Sequence, residues 1–596
     1  MAFTDYQNIH QMLDETVNRT PEVPAYGWFT GDGEQESVTW AAFYHQVTQV
    51  SKSLMALGVK KDQKVVILSY TCYRWVLSDF GINSIGACTV GIYQSTLAKD
   101  CRYIIDHSDA VLAFAEDEIQ YEKLTSIRAG IPRVRRVILL KGDPPAGDDR
   151  ALSFDAFLRL GEGISDADFR ERVDAVFPHD PAGIIYTSGT TGVPKGVVLT
   201  HDNITFTAQS CPACGGFRSG DTTFLFLPLA HVFARTAVYS SVRVGATTIF
   251  NRSMETLIDD FKAARPHWFA SVPRIFEKVH AKARAGAEAK GGAAIAIFRW
   301  AGRVGRRVSD AKLAERPLPL RLRLAYGVAD RLVFRKLRDA LGGRVRWCIS
   351  GAAPLNPDIG RFFHAAGILV REGLGMTENT SFSNLNRIDT CRFGWVGPPG
   401  PGIEQRIAED GEIQFRGRNV MPGYYKMDQE TAATFTGDGW LRTGDLGEID
   451  QENFLRVTGR KKELIITAGG KNIAPAAIEG EIATSRYINQ VCVVGDGRKF
   501  LSALVSLEPD AVADYARTRN IPFTHADELR ERPEIQSLIE SEVAEKNKGF
   551  ASFETIKKVL VVPEFTIENG MMTPTMKLRK KTIQNQYGEA ISVLYR

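Results

Sequence analysis

From Thr39 onward the chain alternates between two periods. Ala41 to Leu57 spaces its apolar residues as a helix does, Lys64 to Ser69 is a short β-branched run, and Trp75 to Ile85 returns to helical spacing. Such alternation predicts βαβ units and a parallel sheet. A polar, Gly/Pro-containing stretch from Lys141 to Pro181 leads into the apolar run Gly183-Ile184-Ile185-Tyr186, a predicted strand that feeds directly into a glycine-rich loop. Further strands are expected at Phe224 to Leu227, Ala246 to Phe250, Arg344 to Ile349 and Ile368 to Arg371, each beside a helix or a glycine turn. Near Gly459 the style changes. A loop with adjacent basic residues precedes short strands at Leu464 to Thr467 and Gln490 to Val494 and a polar helical stretch from Ile535 to Asn547.

The fold class expected is therefore α/β. A large N-terminal domain of α/β subdomains with mostly parallel sheets, residues 1–459, would be joined by a hinge to a smaller α+β C-terminal domain, residues 460–596. The length of 596 residues agrees with this division, since one core rarely grows so large. Solenoid-type repeats and long low-complexity tracts are absent from the sequence.

Composition changes this picture little. With 44% hydrophobic and 24% charged residues the chain falls among ordinary globular proteins rather than disordered, fibrous or polytopic membrane proteins. Met1 to Gln7 lacks the basic and apolar regions of a signal peptide, and the apolar stretch Val76 to Tyr93 is interrupted by Asp79 and small polar residues, so no spanning helix is expected. Of eight cysteines only Cys211 and Cys214 have C-x-x-C spacing, and no second pair completes a metal set. They read as two small residues in a Gly-Pro-rich turn of a reduced, cytoplasmic protein. The net charge is only +4, yet Ala281 to Arg346 is strongly basic, with Arg299, Arg303, Arg306, Arg307, Arg321, Arg323, Arg331, Arg335, Lys336 and Arg338. This run reads first as a solvated helical face. Its alternative is attraction to anionic lipid, as at the inner face of a membrane, or to nucleic acid.

The loop Thr187-Ser188-Gly189-Thr190-Thr191-Gly192-Val193-Pro194-Lys195-Gly196 carries the strongest chemical signal. Glycines let backbone N–H groups approach phosphate oxygens, and the hydroxyls and Lys195 add donors and charge, which suits a polyphosphate. The loop is not a Walker A motif, because Lys195 lies between Pro194 and Gly196 instead of between Gly and Ser or Thr.

Residues 186–197, Y-T-S-G-T-T-G-V-P-K-G-V, resemble the signature of the adenylate-forming, or AMP-binding, enzyme superfamily. Four more elements follow in that family's order: Gly375-Met376-Thr377-Glu378 matches G-x-T-E, Gly439 to Asp445 contains W-x-x-T-G-D, Gly459-Arg460-Lys461-Lys462 is similar to the hinge, and Pro574 to Arg579 contains the equivalent of the C-terminal catalytic lysine, Lys577. The resemblance extends over roughly residues 25 to 585.

It implies the following roles. Thr187 to Gly192 and Lys195 would cradle the ATP phosphates. Glu378 would hold Mg²⁺, a hard cation suited to carboxylate and phosphate oxygens, and Thr377 would donate to the α-phosphate. Asp445 would accept the ribose hydroxyls and Arg460 would add a donor there. Gly351-Ala352-Ala353-Pro354 would form the adenine wall, with Gly373 and Gly375 beside it. Lys577 would meet the attacking carboxylate and the α-phosphate, and after rotation about Lys462 the Gly469-Gly470 turn would line a channel for CoA.

Within the superfamily the chain is most similar to long-chain acyl-CoA synthetases. The basic insertion between Ser271-Val272-Pro273-Arg274 and Ser350-Gly351, the run Leu227-Pro228-Leu229-Ala230-His231, and the ending Pro574 to Lys577 resemble theirs. The reaction implied is activation of a long-chain fatty acid by ATP to acyl-AMP, then transfer to CoA, with no nucleic-acid partner and the oligomeric state left open. The alternatives are a fatty acyl-AMP ligase serving a carrier protein, a non-catalytic ATP- or lipid-binding regulator, and luciferase-like oxygenation after adenylation. Two positions depart from the family pattern: Leu374 stands where an aromatic residue usually stacks on adenine, and Arg235 where some bacterial members carry a Trp gate to the acyl tunnel.

Overall fold

The computed structural model describes residues 3–188, 193–573 and 577–596. Among them the strands form two eight-stranded sheets, a four-stranded sheet and two smaller ones. The first large sheet runs, in spatial order, through Gly423–Tyr424, Pro194–Thr200, Pro181–Ser188, Cys88–Ile92, Lys64–Leu68, Ala110–Ala115, Arg136–Leu139 and Ala151–Ser153. Its central strands are parallel and buried on both faces, which is why they read as continuous apolar runs. The second places Thr222–Leu225, Trp268–Ser271, Trp347–Ser350 and Leu369–Leu374 in adjacent parallel positions. Helices Trp40–Ala56 and Tyr73–Ser84 pack through Phe43, Val47, Val50 and Phe80 into the largest core cluster. Pro181–Ser188 of the first sheet leads into the glycine-rich loop, and Leu369–Leu374 of the second leads into Gly375 to Glu378, the carboxyl ends at which open α/β sheets bind ligands.

Three features differ from the sequence expectation. The stretch Lys141 to Pro181 contains two helices, Phe154–Arg159 and Asp166–Asp174, with Ser153 and Ser165 accepting N-terminal amides. Their buried Phe154, Phe157, Phe169 and Val173 outweigh the polar composition. Cys211 lies inside the helix His201–Ala213 and Cys214 ends it, both buried, so they are helix residues and not turn residues. Finally, residues 403–460 build an antiparallel four-stranded sheet from Ile403–Ile407, Glu412–Gly417, Leu441–Ile449 and Leu455–Arg460, closing the N-terminal part with hairpins.

The C-terminal part contains the antiparallel pair Ile488–Val494 and Leu501–Leu507, a parallel third strand Ile556–Val561, and the helix Pro533–Asn547 across them. It touches the N-terminal part through polar contacts. Arg274 donates to the carbonyl and side-chain oxygens of Asn489, each at 2.7 Å, Asn356 donates to Glu481 at 2.8 Å, and Arg486 pairs with Glu288.

Arg235, at the position where some family members carry a Trp gate, is tied into a buried polar group. It is buried on the helix Val232–Val244, donates to Asp79 Oδ1 at 2.7 Å, and lies near the rings of Trp75 and Tyr239. Tyr239 donates to the other Asp79 oxygen at 2.6 Å. Gly183 leaves the space this guanidinium needs, since a Cβ there would sit 2.8 Å from Arg235 Nη1. Removing one partner of a buried ion pair strands the other charge, so Asp79→Ala is expected to lower the unfolding free energy by about 3–5 kcal/mol. Urea titration followed by tryptophan fluorescence measures this. An unchanged midpoint would show that Arg235 does not depend on Asp79.

Candidate functional site: a cleft of converging charges

The antiparallel strands Pro181–Ser188 and Pro194–Thr200, which flank the glycine-rich loop in sequence, pair Thr187 with Lys195. Gly189, Thr190, Thr191 and Gly192, with the side chain of Ser188, lie outside the described residues. The ammonium of Lys195 lies 5.0 Å from the centroid of the Tyr424 ring. Tyr424 belongs to the two-residue strand Gly423–Tyr424, which pairs with Val197 and Val198, and its hydroxyl donates to Glu378 Oε1 at 2.8 Å. Lys195, Tyr424 and Glu378 thus form one connected row. Burial and then the neighbouring Glu378 charge raise the Tyr424 phenol well above its usual range, so it stays a donor at neutral pH.

Glu378 lies in the short helical turn Thr377–Asn379, directly after the strand Leu369–Leu374. Asn379 accepts from Met376 N at 2.8 Å, and Ser381 N donates to the Met376 carbonyl at 2.8 Å, folding the chain back on itself. Gly375 is required there, because a Cβ would lie 2.0 Å from the Ser381 carbonyl. Thr380 and Ser381 both have positive φ, at 56° and 61°, a backbone strain concentrated beside the chemistry-bearing residues. Thr377 is buried.

Opposite, Ala352, Ala353 and Pro354 are exposed along the cleft wall and Gly351 is buried, hydrogen-bonded to the Ser271 carbonyl at 3.1 Å. Ala352 takes φ 71°. Behind this wall stands Glu372, which sequence reasoning passed over. It is paired in register with Ser350, and its two oxygens accept from Leu355 N at 3.4 Å and Gly394 N at 2.8 Å, tying the wall to a second loop. Gly373, next to it, pairs with Leu385, and Leu374 is half-buried.

Asp445 and Arg460 face each other as register partners in the antiparallel sheet, with Arg460 Nε donating to Asp445 Oδ1 at 2.8 Å. Thr443 supports the turn: its hydroxyl donates to the Ile413 carbonyl at 2.7 Å and accepts from Asp445 N at 3.0 Å. Burial raises the Asp445 carboxyl, opposed by the Arg460 charge, and the Asp445 charge is the first cause holding Arg460 above its usual range.

Lys577 enters from the C-terminal part, held by hydrogen bonds between its backbone and Thr573 at 2.9 and 3.1 Å. It keeps exposed surface, yet enclosure by the cleft holds its ammonium below the usual lysine range, followed by the charge of Arg460 and opposed by Asp445, Glu463 and Glu378. The charge of the same ammonium acts on His231. Burial first, and Lys577 second, push this imidazole down to about 4, so it is neutral at pH 7. His231 caps the helix Val232–Val244, accepting from Phe233 N at 3.1 Å. His231 and Tyr424 are cleft residues absent from the expected set. His231 carried a signal, the run Leu227 to His231 before a helix, whereas Tyr424 is recognisable only through its pairing with the hairpin.

The structure therefore brings Lys195, Glu378, Asp445, Arg460 and Lys577 to one cleft. It does not bring Gly469 and Gly470 there. They form an exposed turn between Ile465–Ile466 and Asn472–Ile473, next to Arg498, and Lys462 is exposed in the connection preceding them.

A family model described as "AMP-binding enzyme" matches residues 13–425, and one described as "AMP-binding enzyme C-terminal domain" matches residues 462–596. The chain belongs to the AMP-binding enzyme family. It is 36% identical to the long-chain-fatty-acid–CoA ligase FadD15 of Mycobacterium bovis, over 99% of this chain and 97% of that one. It is 30% identical to the long-chain-fatty-acid–CoA ligase ACSBG2 of Xenopus laevis, over 98% and 83%. Its fold is similar to that of the adenylation domain of a carboxylic acid reductase from Segniliparus rugosus, solved with AMP and a co-purified carboxylic acid, at TM-score 0.76, 19% identity and coverage of 99% and 94%. The α/β architecture with its smaller C-terminal domain is that of adenylate-forming enzymes.

In this family member the cleft wall depends on the Glu372 carboxyl, which burial pushes from 4.5 up to about 7. The folded protein thus holds the Glu372 proton more tightly than the unfolded chain does. Its contribution to stability is complete below about pH 4.5 and is lost as pH rises through about 7. Glu372→Gln mimics the protonated acid and removes this dependence. From pH 5 to pH 8 the wild type should lose about 2–3 kcal/mol of unfolding free energy relative to the variant, measured by urea titration at both pH values. An equal gap at both pH values would contradict the assignment.

Proposed function

We propose that this chain is an ATP-dependent ligase that converts a long-chain fatty acid to its acyl-adenylate and then to acyl-CoA, releasing pyrophosphate and AMP. The observation that carries the reading is the convergence of Glu378, anchored by Tyr424, and the Asp445–Arg460 pair at 2.8 Å with Lys577, whose charge acts on His231 and feels Arg460, Asp445 and Glu378. Several cations gather where one polyanion and one carboxylate would react. The nearly full-length relatives named as long-chain-fatty-acid–CoA ligases support the substrate class.

In the first half-reaction the fatty carboxylate attacks the α-phosphorus and pyrophosphate leaves. Asp445 accepts the ribose hydroxyls, Thr377 donates to the α-phosphate, and Lys195 with Thr187 to Gly192 receives the outer phosphates. The wall Gly351 to Pro354, with Gly373 and Gly375 nearby, packs the adenine, with Leu374 giving an aliphatic contact in place of an aromatic one. Lys577 neutralises charge building on the carboxylate and phosphate oxygens, a preorganised donor in a partly desolvated cleft. His231, neutral, adds no competing charge.

Glu378 fits a Mg²⁺ that takes its other ligands from phosphate and water. It is a half-buried carboxylate with one oxygen anchored by Tyr424, and among the described residues no group of three His, Cys, Asp or Glu is placed to hold a metal alone. When bound there, the ion supplies charge neutralisation to the phosphates.

In the second half-reaction the CoA thiol attacks the acyl carbonyl and AMP leaves. On this reading the chain beyond Arg460, which ends the last strand of the N-terminal sheet, acts as a mobile unit turning about Lys462, which withdraws Lys577 and presents Gly469-Gly470 to CoA. The polar contacts at Arg274, Asn356 and Arg486 suit a reversible seam.

A pyrophosphate-release assay over acids of graded length, with and without CoA, tests the reading. Turnover should rise with chain length as buried CH₂ groups accumulate, at about 0.8 kcal/mol each, then fall once the tunnel is full, and AMP release should require CoA. Acetate turned over as efficiently as palmitate would contradict the long-chain assignment. AMP release without CoA would contradict the thiol step.

A further inference from the structure

We propose that the helix Leu320–Ala329 and the turn that continues it form a docking surface for anionic lipid bilayers. Leu320, Leu324, Val328 and Leu332 are 69%, 65%, 52% and 40% exposed. Steps of four residues keep side chains on neighbouring turns of one helix face. An α-helix would drift away from the line by Leu332, but the chain widens into a π-helical turn at Asp330–Phe334, which brings that residue back toward it. The result is an outward apolar stripe about three turns long.

Packing of the protein's own core does not explain this stripe. The inward face of the same segment uses different residues, Leu322, Ala329, Phe334 and Leu337, all buried with Phe298 and Phe362 in one cluster. The segment is therefore apolar on both sides while one side faces solvent, although a helix apolar all round is normally covered. Among the other large exposed apolar residues described, only Met254 and Ile258 share a step of four, and no other set extends that step beyond a single pair.

Charge identifies what covers it. The exposed side chains of Arg321, Arg323, Arg331, Arg335 and Lys336 border the stripe. The only acid between Leu320 and Arg338 is Asp330, and Arg338 grips both of its oxygens, at 2.7 and 2.9 Å. Apolar side chains ringed by uncompensated guanidinium groups complement a surface with anionic headgroups above an acyl layer. The leucines and valine enter the headgroup–acyl boundary, and the arginines remain at the phosphates. Among the described residues no helix is long and apolar enough to cross a membrane, so attachment here is interfacial. This inference does not depend on which acid the cleft activates.

The test is sedimentation of the full chain with vesicles of pure phosphatidylcholine and of equimolar phosphatidylcholine and phosphatidylglycerol, at low and high salt. Wild-type protein should partition onto the anionic vesicles, more strongly at low salt. The variant Leu320→Ser/Leu324→Ser/Val328→Ser should lose about tenfold in partitioning. Arg321→Gln/Arg323→Gln should lose several-fold at low salt and little at high salt. Because all five side chains are exposed, both variants should keep the wild-type unfolding midpoint and the wild-type turnover of a soluble acid in vesicle-free buffer. Equal recovery of wild type with both vesicle types, or undiminished binding by the serine variant, would overturn the proposal. So would light scattering that shows the serine substitutions dissolving a dimer while vesicle binding is absent, since a second copy would then cover the stripe.

Discussion

Two cations that repel each other, Arg460 and Lys577, are held in one cleft, and the remainder of the site is arranged around that constraint. Arg460 is compensated by Asp445, directly across a pair of antiparallel strands. Among the described residues Lys577 has no such dedicated carboxylate partner. Burial and Arg460 work against its ammonium, and Asp445, Glu463 and Glu378 only partly offset them. The cleft is therefore poised for additional negative charge. A nucleotide triphosphate with a carboxylate supplies it, and the electrostatic gain is largest when charge concentrates at the transferring phosphorus, which is the condition for catalysis by preorganised donors.

This charge arrangement spans two structural parts. Asp445, Arg460, Glu378 and His231 belong to sheets and a helix end anchored in extensive apolar clusters, whereas Lys577 arrives on a segment whose seam with the rest consists of polar contacts. Such contacts contribute little net stability when exposed to water, so separating them costs little. The rigid half thus fixes where charge must go, and the weakly held half supplies a cation that can be withdrawn. The buried Asp79–Arg235 pair makes the contrast: it is deep in the rigid half, and its guanidinium is fixed by a carboxylate and two aromatic rings.

Much of this was legible in the sequence. The apolar runs that became Lys64–Leu68, Thr247–Phe250 and Ile488–Val494 announced themselves because strands buried on both faces leave no polar alternation. The glycine-hydroxyl-lysine loop was visible because phosphate binding demands those residue types together. Glu372 and Tyr424 were not visible. A glutamate in a strand and a tyrosine after a glycine acquire meaning only from register, which places the former behind the cleft wall and the latter beside Lys195. The antiparallel sheet of residues 403–460 was hidden similarly, since its half-exposed strands mix polar and apolar positions. Local pattern revealed elements, and long-range pairing decided which side chains met.

The central claim is that Lys577 acts in forming the adenylate and then leaves. Lys577→Ala should be assayed twice, once for pyrophosphate release from acid and ATP, and once for thioester formation from preformed acyl-adenylate and CoA. Loss of a single preorganised donor should slow the first reaction by about 10²–10³-fold. The second should stay within a few-fold of wild type. If both reactions fall together, Lys577 remains in the cleft throughout and the account of a withdrawn cation is wrong.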